Sequence, residues 1–152
     1  MAAAKLKDDC EVRNTVFTLP DFAPSSQAPA SGRPFHLAQG GDEKDDFIYN
    51  KDSALGIYLA TMPDDPNSRI YNIGSGTGST LRDFEHALRK HIPNADITIG
   101  PGLNFLGMPY PAHGVYDISR ARNELGFKPA YDIEAGIADY LLSLKAMKAK
   151  AA

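Results

Sequence analysis

The sequence has few of the features that mark disulfide-bonded, membrane-spanning or nucleic-acid-binding proteins. Its single cysteine, Cys10, cannot form an internal disulfide, which fits a reducing compartment. No histidine or helix start flanks Cys10 to activate it, so we expect an inert thiol and not a nucleophile. No apolar run approaches the roughly 20 residues that cross a bilayer. The net charge of -3 supplies no basic excess for binding nucleic acid.

The first residues also lack the apolar stretch of a secretory signal. Residues 1–5 are followed by the charged Lys7, Asp8 and Asp9. We therefore expect a cytoplasmic protein with neither a membrane nor a nucleic acid as its partner. With 152 residues, 43% hydrophobic and 23% charged, the chain suits one globular domain with a real core.

The composition changes along the chain and predicts three regions. Residues 1–37 are expected to be an irregular arm or linker, because residues 23–34 are rich in proline, serine, alanine and glycine without apolar periodicity. Within this arm, residues 15–20 have the composition of a short strand ended by proline. Residues 38–146 are expected to form an α/β domain, and residues 147–152 a frayed tail.

Three short strands are predicted inside the domain, at residues 47–49, 69–73 and 96–99. Asp52 is a suitable N-cap for a helix after the first strand. Five apolar residues then share one stripe of that helix: Ala54, Leu55, Tyr58, Leu59 and Met62. This pattern predicts that the stripe faces the core. Tyr49 and Tyr71, which lie in the first two strands, are expected to be core residues.

The helix after the second strand has the clearest signals. Thr80 and Asp83 have the spacing of a capping box. Apolar residues follow at helical spacing: Leu81, Phe84, Leu88 and Ile92. Lys90 and His91 lie in the last turn, where the helix dipole favours positive charge, and Pro93 ends the helix.

Two more helices are predicted toward the C-terminus. The first covers residues 118–125, with Asp117 as its cap and Gly126 as its stop. The second runs from about residue 133 to 145 and carries a buried stripe. That stripe consists of Ile133, Gly136, Ile137, Tyr140, Leu141 and Leu144. Residues 145–150 are expected to be its solvated, fraying end.

A glycine-rich turn, residues 74–80, follows the second strand and opens a helix. Such a turn can bind phosphate through free backbone N–H groups. The dinucleotide pattern G-x-G-x-x-G would require glycine at position 79, where Ser79 stands. The Walker pattern requires a lysine that is also absent from this turn. The sequence therefore favours a tight strand-to-helix turn over a nucleotide site.

Other polar residues offer weak candidate sites. His86 and His91 are five residues apart, which is not the ligand spacing of one helix face, and we expect no metal site. The acidic run of Asp42, Glu43, Asp45 and Asp46 is predicted to be a solvated turn, the alternative being attraction of a cation.

Several short motifs in order carry a family resemblance. Residues 46–54 (DFIYNKDSA) and 70–76 (IYNIGSG), followed by Tyr116-Asp117 and residues 123–127 (NELGF), resemble the C-terminal, substrate-binding half of the extended short-chain dehydrogenase/reductases. That group includes the NAD-dependent epimerases and dehydratases. The resemblance covers roughly residues 38–145. It implies a small α/β domain of about three short strands with packed helices, preceded by an irregular N-terminal arm.

The resemblance also implies what lies outside this sequence. In full-length relatives the N-terminal half is a Rossmann domain with a glycine-rich NAD(P) loop and a Tyr-x-x-x-Lys pair. None of the seven tyrosines here is followed by lysine four residues later. We therefore expect no catalytic residues, and no cofactor bound by this chain alone, although NAD or NADP is implied for the relatives.

The substrate side departs from the pattern of sugar-nucleotide enzymes. Those enzymes usually carry arginine where Asp45 stands, and another in the loop that grips the diphosphate, yet no lysine or arginine occurs between Lys90 and Arg120. A smaller or neutral ligand suits the loop of residues 103–113 better. Its candidate substrate-binding residues are Asn104, Tyr110 and His113, although an exposed or structural role is favoured for His113.

The leading hypothesis is a partial epimerase/dehydratase-like protein that retains the substrate-binding half and is not catalytic alone. One alternative is a non-catalytic module that forms homo-oligomers, or docks on a Rossmann-domain partner, through surface that a Rossmann half normally covers. Another is a fragment of an intact oxidoreductase or isomerase whose activity depends on the missing half.

Overall fold

The computed structural model describes residues 11–13, 29–63, 67–104 and 114–151, with only the backbone described at residues 11–13 and 151. The strands are β1 (Glu11–Arg13), β2 (Phe35–Leu37), β3 (Lys44–Asp45), β4 (Ile70–Asn72), β5 (Ser79–Thr80) and β6 (Ile97–Ile99). The helices are α1 (Asn50–Thr61), α2 (Leu81–His91), α3 (Ser119–Leu125) and α4 (Ile133–Ala151).

The described strands form three pairs. β1 lies parallel to β4 with Glu11 opposite Ile70, and β2 lies parallel to β6 with Phe35 opposite Ile97. β3 and β5 are antiparallel. The predicted α/β class with a few short strands is confirmed. Strand β2, however, lies within the region assigned to the irregular arm, because it pairs with β6 in the core.

Residues 47–49 do not form the predicted strand. The side chains of Phe47 and Ile48 instead pack against two different hydrophobic clusters, so this segment connects the clusters without joining a ladder. The first cluster has as its buried members Leu81, Ala87, Leu88, Ala95, Ile97, Ile99, Ile137 and Leu141. The second cluster has as its buried members Ala60, Tyr71, Ile73, Ile118, Ala121 and Phe127. Strand β4 thus provides Tyr71 as a core residue, as predicted.

Helix α2 follows its sequence signals. The Thr80 hydroxyl accepts from the backbone N–H of Asp83, and the Asp83 carboxylate accepts from the backbone N–H of Thr80 at 2.7 Å. This capping box satisfies backbone donors that a helix start leaves unpaired. The two hydrogen bonds from Thr80 lower the pKa of Asp83 below its usual value. Leu81 and Leu88 are buried, and Lys90 and His91 lie in the last turn, as expected.

Helix α1 differs from its prediction in both its start and its buried face. It begins at Asn50, so Asp52 lies inside it, and the buried Asp52 carboxylate accepts from the backbone N–H groups of Ala130 and Tyr131. The residues that α1 buries are Asp52, Ser53, Gly56 and Ala60. A Cβ atom at Gly56 would lie 2.4 Å from the side chain of Ile73, the residue after β4, so the helix approaches this segment too closely for large residues. The predicted core stripe is wrong for Leu55, Tyr58 and Met62, which are exposed, whereas Leu59 packs against the second cluster.

Helices α3 and α4 match their predicted positions closely. The N-cap residue of α3 is Ile118 and not the predicted Asp117, whose carboxylate accepts from the N–H of Ser119 at 2.9 Å. Gly126 ends α3 in the left-handed region with φ 67°. Gly136, Ile137 and Leu141 are buried on α4 as predicted. The α4 backbone stays helical through Ala151, beyond the predicted fraying at residues 145–150, whose side chains are exposed. Within the described ranges, no helix has both the length and the apolar character required to cross a membrane.

Candidate functional site

Three of the four acidic residues that precede α1 are buried. The exposed fractions of Glu43, Asp45 and Asp46 are 9%, 3% and 4%. Together with the exposed Asp42 we call these residues the acidic segment. The prediction of a solvated turn is therefore wrong for three of its members. Buried carboxylates are tolerated when hydrogen-bond donors surround them, and here those donors come largely from the backbone of neighbouring loops.

Asp46 holds two loops together. Its carboxylate accepts from the backbone N–H of Ser75 at 2.6 Å and of Gly76 at 3.0 Å, both in the glycine-rich turn. The Ser75 hydroxyl also donates to it. The backbone N–H of Tyr116 donates to the same carboxylate at 3.2 Å. Glycine is required at position 74 because a Cβ atom there would lie 2.7 Å from the carboxylate.

The contacts of Asp46 decide what the glycine-rich turn is able to bind. The N–H groups of Ser75 and Gly76 are the donors that a bound phosphate would use at such a turn. A carboxylate of this chain already accepts them, and its negative charge would repel a second anion. The residues of this turn therefore do not fit the pyrophosphate of a dinucleotide cofactor.

Asp42 and Glu43 of the acidic segment bind the loop after β6. The Asp42 carboxylate accepts from the N–H of Gly102 at 2.7 Å and from Nε of Arg82 at 2.6 Å. The hydrogen bond from Arg82 is the main reason that the pKa of Asp42 lies below its usual value, and the hydrogen bond from Gly102 adds to it. The Glu43 carboxylate accepts from the N–H of Asn104 at 2.7 Å.

Backbone hydrogen bonds fix the same loop along its length. The N–H of Gly41 donates to the carbonyl of Gly100 at 2.9 Å, and the N–H of Asp42 donates to the carbonyl of Gly102 at 3.0 Å. Position 100 has no room for a side chain, since a Cβ atom would lie 1.8 Å from the Ala38 carbonyl oxygen. The backbone of residues 100–104 is therefore held directly against residues 38–43.

Asn104 is the one predicted substrate-binding residue that lies within the described part of the chain. Its backbone has φ 63°, a left-handed conformation that asparagine adopts more readily than most residues. Its carbonyl accepts from the Gln39 amide at 3.0 Å, and the residue is half-buried. Tyr110 and His113 lie outside the described residues, so their grouping with Asn104 stays a prediction.

The acidic segment binds the described residues that flank positions 105–113. The backbone N–H of Asn104, before these positions, donates to Glu43, and that of Tyr116, after them, donates to Asp46. The Asn72 amide also donates to the Asp117 carbonyl at 3.1 Å, which ties Asp117 to β4. The sequence pattern does not identify Glu43 and Asp46 as acceptors for the backbone N–H groups of Asn104 and Tyr116. The available signal was the proximity of several carboxylates to glycine-rich segments that have backbone donors to satisfy.

The arginines near these loops are bound to groups of the protein. Arg82 pairs with Asp42, and the Arg89 guanidinium donates to the carbonyls of Ala95 and Ile97. Arg120 donates to the carbonyl of Ile70 at 3.0 Å. Among the described residues, no three histidine, cysteine, aspartate or glutamate side chains are grouped to hold a metal ion.

A polar cluster links the start of α1 to α4. The Tyr49 hydroxyl donates to the Asp139 carboxylate at 2.6 Å, and the Lys51 ammonium lies 2.7 Å from the same carboxylate. Burial is the main cause that raises the pKa of Tyr49 well above its usual value, and the hydrogen bond to Asp139 is the second. The Tyr131 ring lies 4.7 Å from the Tyr49 ring, centroid to centroid. Tyr49 is thus the N-cap residue of α1 and not the strand core residue that the sequence predicts.

Comparison with known proteins shows which proteins share this fold. No protein-family model matches the chain. A curated relative, the ADP-L-glycero-D-manno-heptose-6-epimerase of Fusobacterium nucleatum, is 29% identical over 109 residues, which are 66% of this chain and 32% of that protein. The solved structure of the Helicobacter pylori enzyme of the same name aligns with a TM-score of 0.64 and 24% identity, over 80% of this chain and 37% of that chain.

A third relative has a different substrate in its name. A partial consensus L-threonine 3-dehydrogenase aligns with a TM-score of 0.65 and 26% identity, over 80% of this chain and 39% of that chain. The resemblance to the extended short-chain dehydrogenase/reductases is thereby confirmed. This chain spans between about a third and two fifths of the length of these relatives, which is consistent with a partial, C-terminal portion of their fold.

Proposed function

We propose that this chain is the substrate-side portion of an epimerase- or dehydratase-like protein, and that it binds a small, non-phosphorylated polar substrate. The observation that carries the proposal is the anchoring of both sides of residues 105–113 by Glu43 and Asp46. Segments positioned by a rigid scaffold are where substrate-binding residues concentrate.

The lack of lysine and arginine between Lys90 and Arg120 supports a small substrate over a nucleotide sugar. A diphosphate needs arginine or lysine partners, and none occurs between Lys90 and Arg120. Arg82 and Arg120 already bind Asp42 and the Ile70 carbonyl. Of the two substrate types in the relatives' names, an ADP-linked sugar and L-threonine, the second has the chemistry that suits this chain.

We also propose that this chain, by itself, binds no dinucleotide and catalyses no reaction. The glycine-rich turn is filled by Asp46, and the sequence contains no Tyr-x-x-x-Lys pair to donate a proton. The chemistry of the relatives would then require a second, cofactor-binding α/β part. The alternative of an interaction module is favoured by a different observation, the exposed apolar face of α1.

Saturation-transfer NMR with the purified chain tests the substrate proposal. L-threonine, as the small polar probe, should give a transfer signal with an affinity on the order of millimolar, and UDP-glucose, as the nucleotide-sugar probe, should give none. Asn104→Gly keeps the left-handed backbone and removes the amide, so it should weaken the L-threonine signal. Asn94→Gly, in the exposed turn after α2, is the matched control and should leave it unchanged. Micromolar binding of UDP-glucose, or no L-threonine signal, would refute the proposal.

A further inference from the structure

The hydrogen-bond donors around Asp46 match the acceptor capacity of one carboxylate group. Its Oδ1 atom accepts from the backbone N–H of Ser75 at 2.6 Å and from the Ser75 hydroxyl. Its Oδ2 atom accepts from the backbone N–H of Gly76 at 3.0 Å and from that of Tyr116 at 3.2 Å. A carboxylate has about four lone-pair positions, two on each oxygen. The donors therefore form a complete binding site for one carboxylate.

This site is separate from the start of α2. The Thr80–Asp83 capping box satisfies donors at the helix start, whereas Ser75 and Gly76 precede the helix. Gly76 has φ 69°, and successive N–H groups beside a left-handed residue form a concavity that binds anions. The site is also closed to water, because Asp46 is only 4% exposed. Hydrogen bonds to a charged group are stronger in such a water-excluded place than at the surface.

Contacts that do not involve Asp46 hold the donors in position. The backbone N–H of Thr77 donates to the Ser75 hydroxyl oxygen at 3.2 Å, which fixes the turn locally. On the other side, the Asn72 amide donates to the carbonyl of Asp117, the residue after Tyr116. Asn72 belongs to β4, so both groups of donors are attached to the same strand. We therefore expect the donors to stay close together when the carboxylate at position 46 is removed.

We propose that Ser75, Gly76 and Tyr116 form an oxyanion site selective for carboxylates, and that the Asp46 side chain is its tethered resident ligand. The tether spares Asp46 the translational entropy that a free ligand loses on binding, so free carboxylates do not displace it. A variant without this side chain instead binds a free monocarboxylate. The site does not depend on the identity of the substrate, because the candidate residue Asn104 is held by Glu43 and not by Asp46.

Formate is the free ligand that fits this site best. Asp46→Ala removes one carboxylate group, and formate has the same size, plane and charge. Inorganic phosphate fits less well, because its further oxygens would be buried without donors. Position 74 leaves little room for them, since a Cβ atom there would already lie 2.7 Å from the Asp46 Oδ2 atom.

The test is chemical rescue of Asp46→Ala in the complete chain. Urea denaturation is followed by circular dichroism at increasing sodium formate, with sodium chloride keeping the ionic strength constant. Formate should bind the folded variant with a dissociation constant on the order of 10 mM. About 100 mM formate should then raise the folding equilibrium constant roughly tenfold. A variant that is unfolded in buffer is first refolded with trimethylamine N-oxide, which favours burial, and formate binding is then read from the Ser75, Gly76 and Tyr116 amide resonances.

Three controls separate the site from a general salt effect. The wild-type chain should gain no saturable stability from formate, because Asp46 occupies the site. Asp96→Ala removes an exposed carboxylate whose recorded partner is His36 at 3.8 Å, and this variant should not respond either. Formamide has the shape of formate without its charge, and it should not stabilise Asp46→Ala.

Each other outcome has a definite meaning. No formate response in folded Asp46→Ala, or an equal response in Asp96→Ala, would overturn the carboxylate site. Equal rescue by formamide, or tighter binding of inorganic phosphate than of formate, would overturn its selectivity for carboxylates. Formate rescue of Asp46→Ala together with no L-threonine signal from the wild-type chain would reject the substrate proposal and leave the carboxylate site standing.

Discussion

Helices α1 and α2 relate side-chain size to burial in opposite ways. Helix α2 buries Leu81 and Leu88 in the first hydrophobic cluster and exposes its charged residues. Helix α1 buries small residues and exposes Leu55 and Tyr58. Both helices have apolar residues at helical spacing, so the spacing alone does not identify the buried face. A close approach, such as that of Gly56 to Ile73, selects small residues for the buried face and leaves the large ones exposed.

The largest expected difference between α1 and α2 is in the free energy of unfolding that a Leu→Ala substitution costs. Leu88 has no exposed surface, so Leu88→Ala should lower the free energy of unfolding by about 3 kcal/mol through lost burial and a cavity. Leu55 is 40% exposed, and Leu55→Ala should cost less than about 0.5 kcal/mol. Urea denaturation of both variants measures the difference. Equal losses would mean that α1 buries its apolar stripe within this chain.

A smaller effect is expected at the close contact of α1. In Gly56→Ala the new methyl group would meet the Ile73 side chain, so overpacking should lower the free energy of unfolding by about 1–2 kcal/mol despite the better helix propensity of alanine. Gly136→Ala in α4 is the control. Its nearest neighbour would be the Tyr49 ring at 3.2 Å, and its cost should be close to zero. A stabilising Gly56→Ala would contradict the close packing of α1 on β4.

Substitutions at the starts of α2 and α1 should differ by about 1 kcal/mol in the free energy of unfolding that they cost. Thr80→Ala removes the side-chain cap of α2 and should lower the free energy of unfolding by about that amount. Tyr49, at the N-cap of α1, makes no such cap contact, so the exposed Asn50→Ala at its first turn should change stability by less than about 0.5 kcal/mol. Thermal unfolding followed by circular dichroism can compare the two variants. A Thr80→Ala change as small as that of Asn50→Ala would contradict the capping box.

The smallest expected effect is a pH dependence at the same capping box. The folded-state pKa of Asp83 lies below its ordinary value of 3.8. Its contribution to stability is therefore present above that ordinary value and is lost as the pH falls through the lowered pKa. Asp83→Asn should flatten the loss of stability in this acidic range, as measured by urea denaturation at several pH values. A variant with the wild-type slope would show that Asp83 does not carry this dependence.

The sequence predicts those elements whose signals are local. The Thr80–Asp83 box and the left-handed Gly126 depend on contacts within one or two turns, and the structure has both. The order of short motifs was enough for the family resemblance, because strand–helix units of this fold follow one another in a fixed order.

The remaining features depend on contacts between residues far apart in the chain. Asp52 has the composition of a cap, but its donors are Ala130 and Tyr131, 78 and 79 residues away. Asp46 reads as part of a charged turn, yet its donors include Ser75 and Tyr116, 29 and 70 residues away. Composition cannot distinguish a solvated carboxylate from one that satisfies distant backbone donors. The roles of Asn104, Tyr110 and His113 in substrate binding stay predictions for the same reason.

The central claim is that the Asp46 carboxylate fills the glycine-rich turn, so that this chain contributes substrate-side loops and not a nucleotide site. The most direct measurement is a titration of the ¹⁵N-labelled chain with NADH, following the amide resonances of Ser75, Gly76 and Tyr116. We predict that these resonances stay unchanged up to about millimolar NADH. Micromolar binding that shifts the Ser75 and Gly76 amides would contradict the claim.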